Sequence, residues 1–150
     1  MSNQSLIIKG QSNSIILNNE QESINFASTL AEGIKPGDII SFTGDLGSGK
    51  TFICREIIKQ LCGNKTEVTS PTFNLLQIYQ APKFTIYHFD LYRLKNLNEI
   101  YELGIEDAFL DNVCLIEWPE IIEDMLPRPV IKINLEILED SKRLCQIEYV

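Results

Sequence analysis

The chain has 150 residues, 44% of them hydrophobic, which is enough for one domain to bury a core without disulfide or metal staples. Thirteen Lys and Arg set against twenty-one Asp and Glu give a net charge of −8, so the overall field opposes direct binding to a nucleic-acid backbone and suits either plain solubility or basic protein partners. Four cysteines with no C-x-x-C spacing and a single histidine argue against a Cys- or His-rich metal site and for reduced, packing thiols. No apolar run approaches the roughly 18 residues of a membrane span, and Met1–Gln4 lacks the basic-then-apolar form of a leader, so the expectation is a cytoplasmic protein with no membrane contact.

In chain order, Ser14–Leu17 reads as a strand. Asn19 with Glu22 three residues on has capping-box spacing, and Ile24, Ala27, Leu30, Ala31 and Ile34 then share one helical face up to a stop at Gly33. Pro36-Gly37 marks a turn, Asp38–Thr43 a mostly buried strand, and Lys50–Leu61 a helix with Ile53, Ile57 and Leu61 on one face and Gly63-Asn64 as its break. Phe73–Tyr79 and Phe84–Phe89 are expected to form a strand pair, and Leu97–Leu110 is helical or irregular. Val113–Ile116 has the continuous apolarity of a buried strand, and Val130–Leu138 and Arg143–Val150 read as two late strands. With no repeat or linker composition, residues 1–150 are expected to form a single α/β domain with a partly parallel sheet and an antiparallel edge.

Between the second strand and its helix lies Gly44-Asp45-Leu46-Gly47-Ser48-Gly49-Lys50-Thr51, a complete G-x-x-x-x-G-K-[ST]. Its glycines let successive backbone N–H groups point inward, and the following helix start adds the positive end of its dipole, a shape suited to a polyanion. Lys50 is the candidate for the β- and γ-phosphates, and the Thr51 hydroxyl for Mg²⁺. Phosphoryl transfer also needs a carboxylate near the metal, and two strands close on an acid: Phe84–Phe89 on Asp90 and Val113–Ile116 on Glu117. Pattern alone does not rank them. His88, Asp90 and Tyr92 alternate and fall on one face if the strand continues, with Arg93 just beyond as a candidate internal charge donor; His88 by itself reads as structural. Thr72, in Ser70-Pro71-Thr72-Phe73, is placed to sense a γ-phosphate or else lies in a plain turn. Asn64-Lys65-Thr66-Glu67 is too early for a guanine reader, which leaves adenine by elimination, and only four arginines, widely spaced, are present to clamp a transferred phosphate.

Together these segments resemble the bacterial TsaE (YjeE-like) family, the P-loop ATPase subunit of tRNA threonylcarbamoyladenosine biosynthesis. The likeness runs through G-D-L-G-x-G-K-T at Gly44–Thr51, S-P-T-F at Ser70–Phe73, H-x-D-x-Y-R at His88–Arg93 and E-W at Glu117-Trp118; Ser48 and Phe52 depart from the family's common alanine and threonine. The resemblance implies a P-loop NTPase-like three-layer sandwich with a mixed, mostly parallel sheet and antiparallel edge strands. It also implies an ATP- and Mg²⁺-dependent ATPase, slow alone, that acts on a TsaB–TsaD complex and meets tRNA only through it. By the family pattern, Gly44–Thr51, Thr72 and Trp118 bind nucleotide, Thr51, Asp90 and Glu117 serve the metal, and Lys50, Asp90 and Glu117 carry the chemistry. A nucleotide-gated binding module without relevant turnover and a small-molecule kinase are the competing readings.

Overall fold

The alternation of apolar residues along the strands sorts the chain onto the two faces of one sheet. The computed structural model describes residues 12–150; Met1–Gln4, read above for a leader, lies outside them. In order, the elements are β1 (Ser12–Leu17), α1 (Glu20–Glu32), β2 (Ile39–Thr43), α2 (Lys50–Cys62), β3 (Leu76–Gln80), β4 (Thr85–Asp90), α3 (Leu97–Glu102), α4 (Ile105–Ala108), β5 (Val113–Glu117), β6 (Ile131–Ile137) and β7 (Arg143–Tyr149). Short 3-10 segments cover Pro119–Met125 and Glu139–Ser141.

The seven strands lie in the order β1-β7-β6-β2-β5-β4-β3. The central four, β6, β2, β5 and β4, run parallel, while β3 pairs antiparallel with β4 and β7 pairs antiparallel with both β6 and β1. Ile40, Phe42, Ile86, Val113 and Leu115 face α1 and α2. Their neighbours Ile39, Phe89, Cys114 and Ile116 face α3, α4 and the 3-10 segment after β5. Covering both faces explains why β2 and β5 read as unbroken apolar runs: each of their residues but Thr43 is buried. Among the described residues no helix is long and apolar enough to cross a membrane.

Local chemistry sets the element ends. Asn19 Oδ1 accepts from the Glu22 backbone N–H at 2.9 Å, whereas the Glu22 carboxylate reaches back one residue further than a capping box requires, to the Asn18 N–H at 3.0 Å. Gly33 closes α1 in a right-handed conformation, and Gly63, at φ 114°, ends α2 one residue later than the spacing suggests.

One expectation is corrected. Residues 73–75 are not strand: Leu75 turns at φ 66° and donates its N–H to the Pro71 carbonyl at 2.6 Å, so a turn precedes β3 and leaves Phe73 80% exposed. The segment from Leu97 to Leu110 resolves into two short helices divided at Gly104, which sits at φ 80°.

Candidate functional site

Strand order brings the loop and both acids to one end of the sheet. β2 delivers the chain into Gly44–Thr51, β5 lies beside β2, and β4 lies beside β5, with Glu117 in register with both Phe42 and Asp90. Parallel strands ending at the same edge, beside a helix start, form the usual crevice of an open α/β sheet. Leu46, Gly47, Gly49, Lys50, Thr51, Phe52, Thr72, Asp90, Tyr92, Glu117 and Trp118 enclose a cavity of about 260 Å³ there.

The loop is shaped by close approach. Gly44 sits at φ 141°, and a side chain on it would run into the Leu135 carbonyl of β6 and come within 2.7 Å of Ser48 Oγ. Arg143, at the start of β7, donates through Nε to the Ser48 carbonyl at 2.9 Å and through a terminal nitrogen to the Gly47 carbonyl at 3.3 Å, bracing the curl from behind. No sequence pattern marked that brace, because it joins residues 95 and 96 positions apart. Helix α2 has Gly49 as its N-cap, which offers no side-chain hydrogen bond, so no capping side chain competes with an anion for the N–H groups of its first turn.

Lys50 is buried and folds back on its own loop, donating to the carbonyls of Gly44 at 2.6 Å and Asp45 at 2.9 Å and lying 4.2 Å from the centre of the Trp118 ring. Burial pulls its pKa below the ordinary lysine value, and the nearby carboxylates of Glu117 and Asp90 work in the opposite sense. Thr51 Oγ1 donates to Glu117 Oε1 at 2.6 Å, and Glu117 Oε2 lies 2.6 Å from His88 Nε2. Asp90 accepts from the Thr72 hydroxyl at 3.0 Å and from the Tyr92 N–H at 3.1 Å, so the Ser70–Phe73 turn is tied directly to the acid that ends β4. Trp118 adopts a left-handed conformation at φ 57° and packs against Tyr92 with ring centres 4.8 Å apart.

The structure therefore brings together Lys50, Thr51, Thr72, Asp90, Glu117 and Trp118. Hydroxyl and carboxylate oxygens facing one small cavity are the hard donor set that Mg²⁺ favours, so Thr51, Asp90 and Glu117 fit such an ion. Asp45 contributes its carbonyl to Lys50, and Ser48 lies within the loop, its Oγ 3.4 Å from the Lys50 ammonium. Arg93 is not part of the cavity lining; its guanidinium lies 4.5 Å over the ring of Phe73. Cys54, one turn beyond Lys50 on α2, has a ligand atom within 4.8 Å of those of His88 and Glu117. Burial, reinforced by Glu117 and Asp90, pushes its thiol well above the ordinary range, so it packs as S–H. The contact of His88 with Glu117 went unread in sequence, although its placement two residues before Asp90 set it on the right face.

A glycine-bounded loop between a central parallel strand and its helix, with acids on the neighbouring strand ends, defines a P-loop NTPase-like α/β sandwich. Residues 17–145 match the family described as threonylcarbamoyl adenosine biosynthesis protein TsaE. The chain is 60% identical over 132 residues to the tRNA threonylcarbamoyladenosine biosynthesis protein TsaE of Rickettsia bellii, covering 88% of this chain and 92% of that one. It is 35% identical over 126 residues to the protein of the same name from Bacillus subtilis, covering 83% and 78% respectively. A solved structure, that of Bacillus subtilis YdiB, superposes with a TM-score of 0.75 at 28% identity, covering 93% of this chain and 86% of the other. The chain belongs to the TsaE family.

Proposed function

We propose that this protein is a Mg²⁺-dependent ATP hydrolase that supports tRNA threonylcarbamoyladenosine biosynthesis, with its hydrolytic cycle directed at a TsaB–TsaD complex. The family supports the pathway. The observation that carries the hydrolase is the convergence of Lys50 and Thr51, on the first turn of α2, with Glu117 and Asp90 around one cavity. With nucleotide bound, Lys50 would give up the carbonyls of Gly44 and Asp45 for phosphate oxygens; of the residues that fit the metal, Thr51 and Asp90 would hold it in this reading, and Glu117 Oε1, no longer engaged by Thr51, would take a proton from an attacking water. When bound, Mg²⁺ supplies charge neutralisation at the β- and γ-oxygens. Thr72, held by Asp90, reports the γ-phosphate to the Ser70–Phe73 turn.

Beyond the phosphate cavity, and sharing Gly47, Gly49 and Phe52 with it, a cleft of about 610 Å³ is bordered by Asn18, Asn19, Ser23 and Arg143. It is the space for ribose and base. Among the described residues no arginine lines the phosphate cavity, which weighs against a kinase. Binding without turnover draws on one observation: Glu117 Oε1 is already engaged by Thr51.

Titrating ATP and GTP with and without Mg²⁺ into wild type and Lys50→Ala tests the nucleotide assignment. Mg²⁺-ATP binds wild type and weakens about tenfold or more in the variant, given the strength of charge-assisted contacts; equal binding by both proteins would sink the reading, and equal ATP and GTP affinity would sink adenine. Glu117→Gln retains binding and loses roughly a hundredfold in phosphate release. A TsaB–TsaD pair raises the wild-type rate, and no change in rate would remove the partner assignment.

A further inference from the structure

His88 is the only histidine of the sequence, is fully buried on β4, and shares the α2-facing side of the sheet with Asp90 and Glu117. Its Nε2 meets Glu117 Oε2 at 2.6 Å, while Nδ1 is buried with no hydrogen-bond partner among the described residues. Those two facts point to Nε2 as the nitrogen that donates to Glu117. Buried N–H groups are almost always paired, and a hydrogen on Nδ1 would leave a donor with no acceptor, at a cost of about 1–3 kcal/mol. It would also set a bare imidazole nitrogen against a carboxylate oxygen. The Nε2–H tautomer, donating to Glu117, satisfies the carboxylate and leaves at Nδ1 only a lone pair.

Glu117 is thus held at both oxygens, by His88 from inside the sheet and by Thr51 from the cavity side at 2.6 Å. The two ties differ in fate. The reading of the site given above has Thr51 leave Glu117 when nucleotide and metal bind, which strips the cavity-side tie at the moment the carboxylate must be aimed. A glutamate at a strand end has three rotatable bonds, and the ammonium of Lys50 is close enough to contribute to the local field. We propose that His88 is the positioning residue of this site: its Nε2–H holds Oε2 so that Oε1 stays directed at the cavity through the exchange of Thr51. This rests on Glu117 being the group that receives the water proton. The logic is that of any base oriented by a third group, with the imidazole here in the orienting place.

Two measurements test it, one independent of turnover. With ¹⁵N-labelled histidine the full-length chain gives the signals of one imidazole, and long-range ¹H–¹⁵N correlation shows a hydrogen on Nε2; a ring with its hydrogen on Nδ1 and a bare Nε2 would overturn the proposal. Single-turnover hydrolysis of Mg²⁺-ATP is then compared in wild type, His88→Leu, His88→Gln and Glu117→Gln, with nucleotide dissociation constants measured alongside. His88→Leu lowers the hydrolytic rate constant about tenfold or more, as loss of an outer orienting partner does, with ATP affinity changed less than about threefold. His88→Gln, whose amide N–H₂ can donate to the same oxygen, recovers part of the rate. Should His88→Leu lose stability, the glutamine variant and the correlation spectrum carry the test. A His88→Leu rate equal to wild type beside an inactive Glu117→Gln overturns the positioning role alone. A Glu117→Gln rate equal to wild type overturns the base assignment and the positioning role with it, whatever the tautomer.

Discussion

At position 44 the main chain passes so close to β6 that there is no room for a methyl group, and at position 47 there is nothing within 4 Å. Both residues have positive φ, 141° and 80°. Alanine at 47 would therefore carry backbone strain only, about 1 kcal/mol, whereas alanine at 44 would add a clash with the rigid Leu135 carbonyl and cost about 2–4 kcal/mol. Urea unfolding at constant m-value measures the difference; equal midpoints for Gly44→Ala and Gly47→Ala would show that the loop yields at its first residue. The G-x-x-x-x-G-K-[ST] motif announced Gly44, and the family form G-D-L-G-x-G-K-T adds Gly47. Neither gave a means of telling them apart, because the partner that crowds Gly44 lies about ninety residues on, in β6.

At the scale of elements, α2 links packing to chemistry. Its first turn carries Lys50 and Thr51, and its buried stripe is Ile53, Cys54, Ile57 and Ile58. The i, i+4 spacing of Ile53 and Ile57 was legible; the stripe is wider than that spacing because the helix lies on a broad sheet and not in a narrow seam. Ile57 is fully buried and three residues beyond Cys54, away from the cavity. Ile57→Ala should lower stability by about 2–5 kcal/mol through lost burial and a residual cavity. The dissociation constant for Mg²⁺-ATP should stay within about threefold, since ligand linkage adds to whatever stability remains. Isothermal titration beside chemical unfolding checks both, and a tenfold loss of affinity would mean that the helix start is set by its packing and not by the loop. Where the sequence misled was Phe73–Leu75. Aromatic and apolar residues there favour a strand, yet the phenyl ring faces outward under Arg93 and the backbone reverses at Leu75 to tie the turn to Asp90 through the Asp90 N–H and the Leu75 carbonyl. A site requirement overrode propensity.

Across the whole molecule the acids Asp90 and Glu117 were equivalent in sequence, each closing an apolar run. Strand order separates them: β5 lies next to β2, so Glu117 meets Thr51, while Asp90, one strand further out, meets Thr72. Such order is set by non-local pairing and has no short-range signature. The same sheet buries two thiols in strands far apart in that order, Cys114 in β5 and Cys145 in β7, and burial pushes both from an ordinary 9.0 up to about 12. Below pH 9 these thiols carry their proton folded or unfolded, so they do not affect the pH dependence of stability. Between about 9 and 12 the unfolded chain releases protons that the fold retains, so the native state loses about 1.4 kcal/mol per pH unit for each thiol. Their contribution is therefore fully present below pH 9 and is lost as pH rises toward 12. The double variant Cys114→Ala, Cys145→Ala should start less stable at pH 8, having lost buried volume and the Cys114 bond to the Ala108 carbonyl, and should decline less steeply from pH 9 to 10.5. Urea unfolding across that range gives the slopes. If wild type and variant fall in parallel, water reaches these strands before the sheet comes apart, and the seven strands do not open as one unit.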